Sequence, residues 1–352
     1  MSDKTDTTSQ ADAEPYAGHD RPSAGHDGED RPGPRRRRRR PWRIALISLA
    51  SLLGLVLVVA AGGYVYVNHL VSSIPRVKVA YLAAVTANSG QTFLVTANPL
   101  GPTGANGQST SLPNYSKLFM LLHINANGKA GGAVTIPGDT VVNVPGFGAH
   151  PLWYALQKGG PSLAVETIAR LTGDPINHYA RVDFTHVATL VDAVGGVDVT
   201  IPKTSTSFGQ TFQAGVNHLT GVTAVYYARD PSLSDEDRTL RQEVLVRNVL
   251  AKIGDDHLLT NPVTMVHVLK VITSALTVDS NMTNSEVTSL ARQLGGLGSS
   301  AATFVTAATR TVHGQLVVNP AIDNQLWTAI KHNNIEGFAA MHSSLVTPPV
   351  VP

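Results

Sequence analysis

The sequence predicts an α/β layered sandwich, a central mixed sheet with helices on both faces, preceded by one transmembrane helix. Two observations carry this. An uncharged apolar run extends from Ile44 to Val67, and beyond residue 90 short apolar strand patterns alternate with helical ones, the joints marked by glycine and proline. That alternation is the pattern of layered α/β folds. Apolar residues make up 43% of the 352, enough for a sizeable core, and only 15% are charged, low for a chain wholly in water. The absence of cysteine excludes disulfides, thiolate metal sites and a cysteine nucleophile together.

Residues 1–41 read as a tail. Up to residue 34 it holds Ser, Asp, Glu, Gly and Pro with almost no large apolar side chain. Such a segment buries too little surface to offset ordering entropy, which predicts disorder. The tail ends in six arginines, Arg35 to Arg40. Residues 42–68 follow as the predicted membrane helix. Its charge-free stretch of about 36 Å crosses a hydrocarbon core of roughly 30 Å with some tilt. A cleaved signal peptide would be shorter and end in a small-residue site. With the basic block in front, the positive-inside rule puts the N-terminus in the cytoplasm and residues 69–352 outside, as a single-pass protein of the cell membrane. Up to Arg43 there are ten basic and eight acidic residues, and the remaining 17 of each cancel. A neutral outer region gives no sign of nucleic-acid binding.

Residues 69–88 read as a stalk with one strand, Pro75 to Ala80. Beyond it the apolar patterns predict strands over Gln91–Thr96, Leu118–Ile124 and Gly132–Ile136. Leu163, Ile168 and Leu171 recur at helical spacing over Ser162–Leu171, and Gly173 ends that helix. A strand over His178–Phe184, a helix over His186–Val194 closed by Gly195 and Gly196, and a strand over Val197–Ile201 come next. Asp235–Ile253 is a long amphipathic helix. The last part adds helices at Glu286–Leu294 and Asp323–His332, with strands near Ala302–Ala307 and Gln315–Val318. Gly159-Gly160 and Gly195-Gly196 read as turns, and Trp153 and Trp327 as core residues.

Chemistry-bearing patterns are few. None of the 13 histidines shows His-x-x-x-His spacing, so a histidine metal site is not expected. There is no Gly-x-Ser-x-Gly elbow and no P-loop. Arg238, Arg241 and Gln242 lie at i, i+3 and i+4 and share one helix face, with Leu245 and Val249 continuing the stripe. Such a face can present guanidinium donors to phosphate oxygens. Equally, the arginines can pair with Asp235, Asp237 and Glu243 on a solvated surface.

Five pieces in order then resemble a known family: Thr135-Ile-Pro-Gly-Asp139-Thr, Gly159-Gly-Pro161, His178-Tyr-Ala-Arg-Val-Asp183-Phe184, Leu190-Val-Asp-Ala-Val-Gly-Gly-Val-Asp198 and Asp235-Glu-Asp-Arg238-Thr-Leu-Arg241-Gln242. Together with the anchor they resemble the LytR–CpsA–Psr family. The likeness spans residues 89–254 as an α/β domain, with residues 255–352 as a C-terminal extension of the same extracellular region. It implies phosphotransferase chemistry at the outer face of the membrane, moving a glycopolymer from a polyprenyl pyrophosphate carrier onto peptidoglycan. It also implies a site of several arginines and a magnesium ion held by carboxylates, and an apolar cavity for the lipid.

This chain departs from the family pattern at several positions. The resemblance puts Asn98 and Lys117 where carboxylate metal ligands are expected, Leu100 and Tyr115 where arginines are expected, and Gly138 in place of another arginine. Asp139, Arg229, Arg238, Arg241 and Gln242 match. The resemblance therefore implies Asp139, Arg229, Arg238, Arg241 and Gln242 as catalytic residues, and Lys117, Asn98 and Tyr115 as substrate-binding ones, with no confident metal site or cofactor. The expected partners are the membrane, a polyprenyl-linked glycopolymer and peptidoglycan, with weak or absent turnover. The alternative is a non-catalytic scaffold or regulatory partner of active family members. A transcriptional attenuator is disfavoured by the outward topology.

Overall fold

The computed structural model describes residues 61–86, 90–98, 117–128, 131–256, 258, 262–296 and 302–351. The predicted tail, most of the predicted membrane helix, Leu100 and Tyr115 lie outside the described residues. Residues 61–72 are helical (α1). Among the described residues no helix is long and apolar enough to cross a membrane.

A seven-stranded sheet organises the molecule. Its strands are β1 (Arg76–Val77), β2 (Gln91–Asn98), β3 (Leu118–Ile124), β4 (Gly131–Pro137), β7 (His178–Asp183), β12 (Leu276–Asp279) and β13 (Ala302–Thr306), in the order β1-β12-β7-β2-β3-β4-β13. It is mixed, as expected: β2 runs parallel to β7 but antiparallel to β3, and β4 runs antiparallel to β3 but parallel to β13. The predicted strand in the stalk shrinks to the two residues of β1, which pair only with β12.

Successive side chains in a strand point to opposite faces, and this parity divides the interior. Leu94, Phe119, Leu121, Val134 and Tyr179 face one core, shared with α2 (Leu152–Thr172), α8 (Pro320–Lys331) and α9 (Ile335–Met341). Val95, Met120, Leu122, Ala133 and Phe304 face the other way. There they meet α3 (Val187–Ala193), α5 (Asp235–Asp255), α6 (Pro262–Ala275) and α7 (Asn284–Gly296).

Helix α2 begins ten residues before the predicted Ser162. Gly160 breaks it with φ 64° and ψ −157°, ahead of Pro161. Glycine tolerates that left-handed backbone, which strains other residues. Leu152 and Ala155 before the kink join the same core as Ala164, Val165 and Ile168 after it, so packing carries the helix across a sequence that locally reads as a stop. The predicted turn at Gly195-Gly196 is present, both with φ 84°, leading from α3 into β8 (Val197–Ile201). Trp327 is buried, and Trp153 packs partly buried against the same core.

Candidate functional site

The strand register gathers several predicted residues at one end of the sheet. Asn98 pairs with Asp183 as β2 and β7 end, and Leu118 pairs with Pro137 where β3 starts and β4 ends. Lys117 and Asp139 flank that last pair. The Lys117 ammonium donates to Asp139 Oδ2 at 2.9 Å, with 34% and 41% of the two side chains still exposed. Gly138 lies between: its N–H donates to the Lys117 carbonyl at 3.0 Å, and its own carbonyl accepts from Trp153. A Cβ on Gly138 would come within 2.6 Å of the Lys117 carbonyl oxygen. Glycine at 138 is therefore what lets the two chain segments close.

This arrangement does not fit the implied magnesium ion. Magnesium demands oxygen ligands at about 2.0–2.1 Å in near-octahedral array. Here the Asp139 carboxylate already carries an ammonium, which repels a second cation. Among the described residues no three His, Asp or Glu side chains group as a metal site.

A second group forms where α4 (Gly221–Ala228) meets the start of α5. Ser234 caps α5, accepting from the Asp237 N–H at 3.0 Å. Arg241 is almost fully buried: Nη1 donates to Asp230 Oδ2 at 3.2 Å and to the Tyr227 carbonyl at 3.1 Å, and its guanidinium lies 4.6 Å from the Tyr227 ring centre. Burial pushes the Tyr227 hydroxyl up to about 12. Arg238 donates to the Leu233 carbonyl at 2.7 Å, and Gln242 reaches the Ala228 carbonyl at 3.4 Å. Arg241 is thus buried and does not lie on a solvated surface. Glu243 is two residues along the helix and points to another side, where it accepts from Thr347 Oγ1 at 2.8 Å. Burial also raises its pKa.

Arg229 differs from its neighbours. It is the C-cap residue of α4, its side chain is half-buried, and burial lowers its pKa. Among the described residues its guanidinium has no hydrogen-bond or ion-pair partner. A partly desolvated cation in that state favours an arriving anion.

Between the sheet and helices α3, α5, α6 and α7 lies an apolar cavity of about 310 Å³. Val95, Met120 and Leu122 supply its sheet wall, and Leu245, Val249 and Ile272 part of its helical wall. Leu245 stands one helical turn beyond Arg241, so the stripe read from the sequence runs from the arginines into the cavity. Sequence reasoning missed Asp230, Tyr227 and the cavity-lining Arg247. Asp230 stands beside Arg229 in the sequence, but its burial against Arg241 depends on a contact between two helices.

The LytR_cpsA_psr family model matches residues 102–336. The chain belongs to the LytR–CpsA–Psr family. It is 34% identical over 148 residues to the probable cell wall biosynthesis protein LcpB of Corynebacterium glutamicum, a match covering 41% of this chain and 36% of that protein. Over 142 residues it is 34% identical to a polyisoprenyl-teichoic acid–peptidoglycan teichoic acid transferase, TagU of Bacillus cereus, covering 39% of this chain and 46% of the relative. The chain thus spans less than half the length of these curated relatives. Among solved structures, the LytR-Csp2A-Psr enzyme from Actinomyces oris superposes with a TM-score of 0.57 at 20% identity, over 73% of this chain and 96% of that one. TagT bound to LIIa-WTA superposes with a TM-score of 0.54 at 18% identity, over 74% and 99%. At these identities the likeness is one of fold, the α/β fold built on the mixed sheet.

Proposed function

We propose that this chain is a cell-envelope protein that binds a polyprenyl-(pyro)phosphate-linked glycopolymer and takes part in its transfer to peptidoglycan, with slow turnover. The apolar cavity carries the reading. Its aliphatic wall suits a polyprenyl chain, and pockets of some hundreds of Å³ with few polar groups are the usual form of small-molecule sites. The partly desolvated Arg229 and the Lys117–Asp139 pair supply polar groups for the phosphates. In this reading the basic block stays in the cytoplasm and the uncharged run after it anchors the α/β domain to the outer face of the membrane.

Slow turnover follows from what the charged groups do. Phosphoryl transfer depends on donors aimed at developing charge. Losing one such donor costs roughly 10² to 10³ in rate, and this chain lacks three of the family's arginines. Arg241 is committed to Asp230 and Tyr227, so it acts by holding α5 against α4. That same observation favours a second reading, a binding scaffold that partners active family members. A transfer assay separates the two. Full-length protein in nanodiscs is mixed with lipid-linked glycopolymer and peptidoglycan, and both retention of the lipid and product are followed. Retention with transfer at least 100-fold slower than by a family member with all the arginines is expected. Transfer at full speed would contradict slow turnover, and no retention would contradict the binding reading.

A further inference from the structure

We infer that Lys117 serves as a built-in cation of the phosphate site, so that anion recognition here needs no divalent metal. The inference rests on the proposed function and deepens it.

Three observations bear on it. First, the ammonium is seated on Asp139, the carboxylate that survives from the family's pattern, at 2.9 Å. Second, the seat depends on Gly138, since any side chain there would collide with the Lys117 backbone. Glycine at 138 and lysine at 117 therefore act as one device. Third, the side chains more than replace the ion's charge. Compared with carboxylates at 98 and 117, Asn98 and Lys117 raise the protein's own charge by three units, one at 98 and two at 117. A magnesium ion would have brought two. An ammonium also has three N–H donors, and Lys117 is still a third exposed, so it can meet a phosphate oxygen while it keeps Asp139.

The test uses the full-length chain in detergent and farnesyl monophosphate, a short prenyl phosphate that binds magnesium weakly in solution. Calorimetry is run in EDTA and again in millimolar magnesium. The wild-type affinity should agree within twofold between the two. Lys117→Ala should weaken it about 10- to 100-fold in both, the cost of one charge-assisted bond. Lys117→Asp sets a second carboxylate beside Asp139. It should bind the phosphate poorly in EDTA, recover with magnesium, and bind magnesium alone where the wild type does not. Thermal unfolding confirms that the variants fold. A wild-type affinity that rises tenfold or more with magnesium, or an unchanged affinity in Lys117→Ala, overturns the inference while leaving the phosphate site standing. No binding by the wild type in either buffer overturns both.

Discussion

Arg241 and Asp230 form an ion pair with both side chains only 1% exposed. Removing charges from water is costly, and breaking such a pair strands the partner. Arg241→Ala should therefore destabilise the protein by about 3–5 kcal/mol, seen as a lower midpoint in urea unfolding. Replacing both residues with apolar ones of similar size should cost much less. The asymmetry between single and double variants identifies a positioning role. An arginine that only awaited a phosphate would cost little when removed from the unliganded protein. Arg229 makes the contrast: among the described residues its partly desolvated guanidinium has no partner to strand, so Arg229→Ala should leave stability almost unchanged. Residue identities here were legible in the sequence, but their states were not. The spacing of Arg238, Arg241 and Gln242 located one face of one helix. Whether that face meets solvent, phosphate or Asp230 depends on α4, over which the sequence predicts no element.

At the scale of elements, two kinds of strand read correctly, one buried on both faces and one alternating buried with exposed residues. Leu118–Ile124, a nearly continuous apolar run, and Val197–Ile201, with its period-two alternation, emerge with the predicted bounds, because both patterns are legible without knowing their neighbours. Some of the elements that were missed depend on distant partners. β5 (Val141–Val144) pairs with β6 (Gly148–Pro151), and it joins a small sheet only through β15 (Gln315–Val318), more than 170 residues later. Helix α8 is tied down in a similar way. Asp323 in its first turn is buried and accepts the Ala308 N–H at 2.8 Å, while its other oxygen has no partner among the described residues. Burial raises its pKa to about 6, against the lowering effect of the backbone N–H groups. The folded state thus binds the proton more tightly than the unfolded chain between about pH 4 and pH 6, so this group's contribution to stability falls as pH rises through that window. Asp323→Asn should stabilise the protein at pH 7.5 by up to about 3 kcal/mol, with little gain at pH 4. Thermal melts at the two pH values check it.

For the whole molecule, sheet parity separates two jobs. One face, packed on α2, α8 and α9, closes into a core. The other, facing α3, α5, α6 and α7, leaves the cavity open. The binding of a polyprenyl phosphate in that cavity is the central claim, and one comparison tests it most directly. Val95→Trp would fill space on the sheet wall without touching Lys117, Asp139 or Arg229. Full-length wild type and variant are titrated with a long-chain polyprenyl phosphate in detergent, with melting followed in parallel. The account predicts that the wild type binds, and that the variant melts at the same temperature or higher while its affinity falls at least tenfold. Equal affinity in a folded Val95→Trp variant would contradict the claim and put the lipid, if bound at all, elsewhere.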